Sequence, residues 1–251
     1  MNLLDLTLAS PAGNLACDEA LLNWGEDGGG EILRFWEPRE YFVVVGYANK
    51  VETEVNIAAC ATSNVPIFRR CSGGGTVLQG PGCLNYTLIL QIAAHSSRAT
   101  ISSTNKFIMD RHRAAMESEV RSQKSEVRFA VQGHTDLTLA TRHSSRVTLR
   151  KFSGNSQRRH KRALLFHGTF LLNFDLLLVA KLLRMPSQQP DYRNNRGHTD
   201  FLTNLNVPVA RLKSVLGNVW NASGALRDFP EPEMRRLADE RYSNTKWIFK
   251  L

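Results

Sequence analysis

Three short stretches carry residue types that can do chemistry together. Arg69-Arg70-Cys71-Ser72-Gly73-Gly74-Gly75-Thr76-Val77 sets two cations and a hydroxyl near three residues without side chains. Glycines let a backbone approach a ligand closely, and successive N–H groups in such a turn can cradle a phosphate or carboxylate. Taken alone, such a bend is more often a flexible hairpin tip with a basic flank. Lys151-Phe152-Ser153-Gly154-Asn155 puts a lysine beside a glycine at the end of an expected strand, where an amine can hold two anionic groups as a point charge. An ordinary surface lysine is the commoner meaning. His167-Gly168-Thr169 interrupts the apolar run Leu164 to Leu172, and a small residue there permits close approach of a ligand. A hydrogen-bonded core histidine is the plainer alternative. Neither G-x-x-x-x-G-K-S/T nor a strand-G-x-G-x-x-G-helix unit is present, so the familiar nucleotide loops are not supported.

The elements that must position these residues follow from periodicity. Leu3 to Leu8 reads as a strand, and Asn14 is expected to cap a helix with Leu15, Asp18, Leu21 and Leu22 at helical spacing. Glu31 to Trp36 and Tyr41 to Gly46, separated by a Pro38 turn, read as a hairpin. A helix over Glu52 to Ser63 follows, then a hairpin over Pro66 to Gln91 interrupted by Gly73-Gly74-Gly75 and Gly80-Pro81-Gly82. Thr104 to Val120 is helical, with Ile108, His112, Ala115, Met116 and Val120 on one face. Strands are expected over Glu126 to Val131, Thr135 to Ala140, Arg146 to Phe152 and Ala163 to Leu172. Helices are expected over Leu176 to Leu183, Val209 to Gly217 and Glu231 to Arg241. The whole reads as one α+β domain over residues 1–251 with a small carboxy-terminal helical part, without internal repeat or long linker.

Composition limits the function classes. Four cysteines, Cys17, Cys60, Cys71 and Cys83, make no C-x-x-C pair and have no histidine at zinc-ligand spacing, so most are expected to be reduced thiols. No run of eighteen apolar residues occurs and the first residues resemble neither a secretory nor a transit signal, so the expectation is a cytoplasmic protein that does not enter membranes. A net charge of +9 attracts anions, and much of it lies between Arg142 and Arg162.

Together and in this order, the three stretches resemble the lipoate-protein ligase family, within the wider group of biotin and lipoate ligases and octanoyltransferases. Asn14-Leu15-Ala16-Cys17-Asp18-Glu19-Ala20-Leu21 looks like the family's first helix, and Arg34-Phe35-Trp36 with Val45-Gly46 like its first pocket-lining hairpin. Arg69 to Val77 matches RRxSGGGxV, and Leu84-Asn85-Tyr86 the strand behind it. Gly133 to Leu137 with Lys151 to Gln157 fits the GxxDL and KxSGxAQ strands, and Phe166 to Thr169 the HHGT strand. Departures are Leu78 to Cys83, where the better-known ligases carry His-Asp and Gly-Asn, Ser156 for the common alanine, and Phe166 for a first histidine.

The resemblance implies a central mixed, largely antiparallel sheet flanked by helices, the biotin/lipoate protein ligase catalytic-domain fold. It also implies a two-step reaction: a carboxylate, lipoate or octanoate, attacks the α-phosphate of ATP, and a carrier lysine then attacks the acyl-adenylate. Arg70, Ser72 and the amides of Gly73, Gly74 and Gly75 would hold acid and adenylate, with Thr76 beside them, while Lys151 bridges carboxyl and phosphate oxygens. Ser153 and Gly154 accompany Lys151, Asn85 and Gly168 adjoin the ligand, and Asp136 takes adenine or Mg2+-side contacts. Trp36, Val77, His167 and Thr169 would line the acyl tunnel. The implied acceptor is an acidic carrier: an E2 lipoyl domain, the glycine-cleavage H protein, or a lipoate-binding protein of sulfur metabolism. The resemblance to the catalytic domain ends near Tyr242 to Trp247, so the expectation is either an accessory domain on a separate subunit or a compact ligase that works without one. The nearest rival is an octanoyltransferase working through a cysteine thioester, which needs a thiolate near the ligand, and no cysteine lies between Cys83 and Leu251. Nucleic-acid binding by the basic stretch, and a biotin ligase with its GRGRxGR-type loop, are less well supported.

Overall fold

The computed structural model describes residues 1–119, 128–143, 146–226 and 228–251. Strand β1 (Asn2–Asp5) leads to helix α1 (Pro11–Glu26). The helix starts before Asn14: Ser10 is its cap, the hydroxyl accepting from Gly13 N at 3.0 Å, and Pro11 presets the first helical φ. Asn14 lies one turn inside, buried, its side chain bonded to the Leu8 backbone and the Arg34 guanidinium.

Strands β2 (Ile32–Trp36) and β3 (Phe42–Val45) follow, then short helices α2 (Val51–Glu54) and α3 (Ile57–Thr62). The single helix expected over 52–63 is broken at Val55, which is extended and bridges to Leu183, while Asn56 caps the second piece. Next come β4 (Ile67–Arg69), β5 (Val77–Gln79), β6 (Cys83–Gln91), α4 (Ile101–Glu119), β7 (Arg128–Gln132), β8 (Asp136–His143), β9 (Arg146–Arg159) and β10 (Ala163–Leu171). The chain finishes with α5 (Leu176–Leu182), α6 (His198–Phe201), α7 (Val209–Val219), β11 (Gly224–Ala225), α8 (Glu231–Leu237) extended by a π-helical turn Ala238–Tyr242, and α9 (Thr245–Ile248). Val120, Glu126 and the loop tip Ser144-Ser145 lie outside the described residues.

Eight strands form one mixed sheet in the order β11-β1-β2-β6-β10-β9-β8-β7, parallel at the β11-β1-β2 edge and antiparallel beyond it. Helices cover both faces, as the α+β reading requires. Neither expected hairpin before Gln91 forms. β2 joins the large sheet, whereas β3 sits centrally in a three-stranded sheet, β4-β3-β5, so the chain crosses from one layer to the other at Pro38. The same split separates β4 and β5 from β6, and it lifts the Gly73 to Gly75 bend off the large sheet.

The two faces of the large sheet alternate with period two. Phe35, Leu88, Phe166 and Phe170 pack with Ile108 and Met116 of α4 and Leu212 and Leu216 of α7. Ile32, Ile89 and Leu165 face the other way, onto Leu21 and Leu22 of α1. These side chains are at most 1% exposed, and each full burial contributes roughly 1.5–3 kcal/mol. The site occupies the face covered by α1.

Candidate active site

Two rows of side chains on that face build the site. Trp36, Asn85, Thr169 and Gly154 are register partners across β2, β6, β10 and β9, and Arg34, Thr87, His167 and Ser156 form the next row. The glycine bend lies over the second row. Ser156 Oγ donates to Gly73 O at 2.9 Å, and Gly74 takes φ +82°, a conformation open to glycine. Arg70 clamps the bend from inside: its guanidinium reaches Gly73 O at 2.5 Å, Gly75 O at 2.8 Å, Ser72 Oγ at 3.1 Å and Val44 O at 3.4 Å. All three of its nitrogens thus have acceptors within the protein, so Arg70 shapes the bend from beneath. Burial draws its pKa down to about 10, which still leaves it charged at neutral pH.

Ser72 continues a buried chain of hydrogen bonds. Its Oγ lies 2.6 Å from His167 Nε2, His167 Nδ1 lies 3.3 Å from Asp18 Oδ2, and Asp18 Oδ1 takes Arg34 at 2.6 Å and Thr87 Oγ1 at 2.8 Å. Burial pushes the Asp18 carboxyl up, but Arg34 first, then His167 and Thr87, outweigh it and hold the carboxyl below its ordinary value. A carboxylate only accepts, so Nδ1 carries the proton toward Asp18 and Nε2 accepts from Ser72. The order Ser-His-Asp matches a nucleophile, its base and the group that orients it. Ser72, however, is fully buried and also accepts from Arg70, which suits it to fixing the bend.

Lys151 lies over the first row. A Cβ on Gly154 would stand 2.8 Å from both Lys151 Cε and Nζ, so the side chain runs along the bare backbone there. Three residues apart on a regular strand, Lys151 and Gly154 would face opposite ways. A register shift of β9 against β8 pairs Leu137 with Ser153 but Thr138 with Lys151, and this extra residue returns Lys151 to the face of Gly154. Same-face neighbours on a strand are separated by roughly 7 Å, so the amine over Gly154 and the glycine bend over Ser156 are adjacent. β9 is continuous through this point, so Lys151 sits within the strand and not at its end.

The amine meets Asp136 Oδ1 at 2.7 Å, and Asp136 Oδ2 accepts from Tyr192 Oη at 2.8 Å. Among the described residues no group of three or more His, Cys, Asp or Glu gathers as a metal site, and both Asp136 oxygens are already engaged. The expected adenine or Mg2+-side contacts of Asp136 fall on a carboxylate whose two oxygens hold Lys151 and Tyr192.

The remaining expected residues divide. Trp36 is 3% exposed and stacks on Phe42 with ring centroids 6.5 Å apart, and Val77 packs against the same cluster. Thr76 accepts from Asn49 at 3.4 Å beside the bend. Asn85 and Thr169 form a closed triangle with Gln79, at 2.5, 2.7 and 3.0 Å. Ser153 and Gly168 belong to the opposite face. Ser153 pairs with Phe170, and its buried hydroxyl has no hydrogen-bond partner among the described residues. Gly168 makes room for a side chain and not for a ligand: a Cβ there would fall 1.7 Å from Asn155 Oδ1, which accepts from Tyr86 Oη at 2.6 Å.

Sequence reading gave no separate role to Asp18, Arg34, Gln79, Ser156 or Tyr192. A carboxylate among the leucines of α1 was the usable signal, since a buried charge needs a partner. The basic stretch is dispersed by the fold: Arg150 donates to Thr199 O, Arg159 to the carbonyls of Arg98 and Ala99, and Arg162 pairs with Glu26 and Asp27. The Arg142 and Arg146 side chains lie outside the described residues. Among the described residues no helix is long and apolar enough to cross a membrane.

Residues 10–218 match the family described as the lipoyl protein ligase A/B catalytic domain. The chain belongs to that family. The lipoyl protein ligase A/B family holds both ligases and octanoyltransferases, and the comparisons reflect both. Octanoyltransferase LipM of Halalkalibacterium halodurans is 26% identical over 96% of this chain and 95% of its own length. In fold, the chain resembles the bi-partite lipoate protein ligase of Thermoplasma acidophilum, with TM-score 0.79, 20% identity, and coverage of 99% of this chain and 95% of that one. It also resembles lipoate-protein ligase A bound with ATP, with TM-score 0.73, 21% identity, and coverage of 99% and 98%. The protein is thus an enzyme of the lipoate ligase and octanoyltransferase family.

Proposed function

We propose that the chain acts as one catalytic domain that activates lipoate or octanoate with ATP as the acyl-adenylate and passes the acyl group to a carrier lysine. The observation that carries this reading is the Lys151 amine lying along Gly154, one same-face step from the Gly73 to Gly75 bend. An anhydride of carboxylate and α-phosphate fits between a point cation and a bend of backbone amides, and both favour the charge that builds as the carboxylate attacks phosphorus. Arg70, Ser72 and Ser156 fix the bend, so little reorganisation is needed at the moment of reaction. Trp36, Val77, His167 and Thr169 adjoin the acyl chain, and Asn85 holds Thr169 in place. In that first step a carboxylate oxygen bonds to the α-phosphorus as the bond to pyrophosphate breaks; the acceptor amine then attacks the carbonyl, loses a proton, and AMP leaves. An acidic carrier is favoured by the charge of +9, and an E2 lipoyl domain accompanies the Thermoplasma ligase in its structural description.

The similarity to LipM supports a second reading, acyl transfer from acyl carrier protein through a cysteine. The cysteines argue against it. All four are buried, and burial drives Cys17 up to about 11, Cys71 and Cys83 up to about 12, and Cys60 above its usual value. A nucleophilic thiol needs the opposite shift. Incubating the protein and a lipoyl domain with ATP, Mg2+ and free octanoate or lipoate tests the choice: stoichiometric AMP and an acylated acceptor by intact mass are expected. Acylation from octanoyl-acyl carrier protein alone, without ATP, overturns the ligase reading.

A further inference from the structure

The segment after α5 grips Lys151 at both ends. Thr203 N donates to Lys151 O at 2.9 Å, and Leu202 and Lys151 form an isolated bridge. At the other end Tyr192 Oη donates to Asp136 Oδ2 at 2.8 Å, while Asp136 Oδ1 holds the Lys151 amine at 2.7 Å. Tyr192 is itself immobilised. Its ring lies 5.2 Å from the Phe201 ring, and Arg193, 5% exposed, stacks on Phe201 at 4.6 Å. Arg196 donates to Tyr192 O at 3.0 Å and to Leu149 O at 2.8 Å, tying the segment back to β9.

We infer that Tyr192 is a positioning residue for the amine: it fixes the Asp136 carboxylate, which in turn holds Lys151 Nζ over Gly154. The inference rests on the reading that Lys151 serves adenylate formation. A free aspartate at this place swings about its χ angles and carries the paired amine with it. Tied through its second oxygen to a packed phenol, it presents one oxygen in one place. Positional errors of the order of an ångström cost roughly a hundredfold in rate, so a residue that never touches substrate can still act strongly on turnover.

The test is a double-mutant cycle of Tyr192→Phe and Asp136→Asn, with two readouts. Tyr192→Phe keeps the ring against Phe201, so the fold is retained, which thermal melting checks. The first readout is the rate at which acetic anhydride labels Lys151 in the free protein, measured by peptide mass spectrometry. The second is acid-dependent ATP–pyrophosphate exchange. Each single substitution is expected to raise Lys151 labelling severalfold and lower kcat by about tenfold, the scale of one charge-assisted hydrogen bond, with a smaller change in KM. Adding Tyr192→Phe to Asp136→Asn is expected to change nothing further. Wild-type labelling and kcat in Tyr192→Phe, or an equal effect in both backgrounds, overturns the inference. If the wild-type protein shows no exchange, the functional reading fails, and the labelling cycle still decides the role of Tyr192.

Discussion

His167 Nε2 and Ser72 Oγ are 2.6 Å apart, joining the strand that carries HGT to the loop that carries SGGG. Behind them Asp18 on α1 neutralises Arg34 on β2, so a helix, two strands and the glycine loop meet in one buried polar chain. Its members are distant in sequence, and each is a polar group whose burial is tolerable only because the next one pairs with it.

Removing the middle of that chain should therefore be costly. Asp18→Ala leaves the Arg34 guanidinium, 0% exposed, without its counter-charge, and is expected to destabilise the protein by about 3–5 kcal/mol in urea unfolding. The carboxyl is held below its ordinary value, so its contribution is present above an unfolded pKa near 3.8 and is lost as pH falls through the folded value. A loss below 1 kcal/mol would mean that Arg34 finds another partner.

His112 supplies a separate pH signature. It is fully buried, its Nε2 accepts from Trp220 Nε1 at 2.8 Å, and burial lowers its pKa to about 3. Below pH 6.5 the unfolded chain takes up a proton that the folded chain refuses, so stability falls as pH drops from 6.5 toward 3, by a few kcal/mol in all. His112→Gln keeps an acceptor for Trp220 and does not titrate. Urea midpoints between pH 7 and 4 should fall less steeply for the variant than for the wild type.

Lys151→Ala is expected to keep the fold, since the side chain is partly exposed, while removing the amine that lies along Gly154. Loss of a preorganised charge at a developing anion lowers rate by roughly 10²–10³-fold or more. Acyl-AMP accumulation, measured by mass spectrometry without acceptor, is the readout. Wild-type levels would remove Lys151 from the chemistry.

How much of this was legible depends on the range of the interactions. The glycine bend, the Lys151 stretch and the HGT strand stood out because residue type and local spacing announced them, and β6 and β10 because their apolar runs exceed what a loop tolerates. The crossing at Pro38 was not legible: two apolar runs around a turn look alike whether they pair with each other or with distant strands, and β2 found β6 and β1 instead. The bulge at Phe152 decides which way Lys151 points, yet it arises from pairing with β8 and leaves no mark on β9 alone. Tyr192 reaches Asp136 from 56 residues away along the chain, which no local pattern foretells.

The cysteines give a direct test between the two transfer chemistries. With every thiol buried and shifted upward, a variant carrying Cys17→Ala, Cys60→Ala, Cys71→Ala and Cys83→Ala is expected to keep acyl transfer within severalfold of wild type once its stability is matched by temperature. Intact mass after incubation with an octanoyl thioester should show no acyl adduct on the wild-type protein. An adduct mapping to one cysteine would favour the transferase.

Two glycines of similar appearance should fail in different ways. A Cβ at Gly154 would lie 2.8 Å from the end of the Lys151 side chain, a flexible group that can shift, so Gly154→Ala should fold with little loss of stability. The displaced amine no longer meets the neighbouring bend at the right distance, and kcat for adenylate formation should drop by roughly a hundredfold. A Cβ at Gly168 would lie 1.7 Å from Asn155 Oδ1 and 2.9 Å from Gly154 O, on the opposite face, inside the Tyr86–Asn155–Thr135 network. Gly168→Ala should therefore destabilise by about 1–3 kcal/mol or more, and its activity loss should track the unfolded fraction. Thermal melts and pyrophosphate exchange on the two variants separate the cases: stable but slow for Gly154→Ala, unstable but competent while folded for Gly168→Ala. The reverse pattern would mean that Lys151 approaches its substrate from the other side of the sheet.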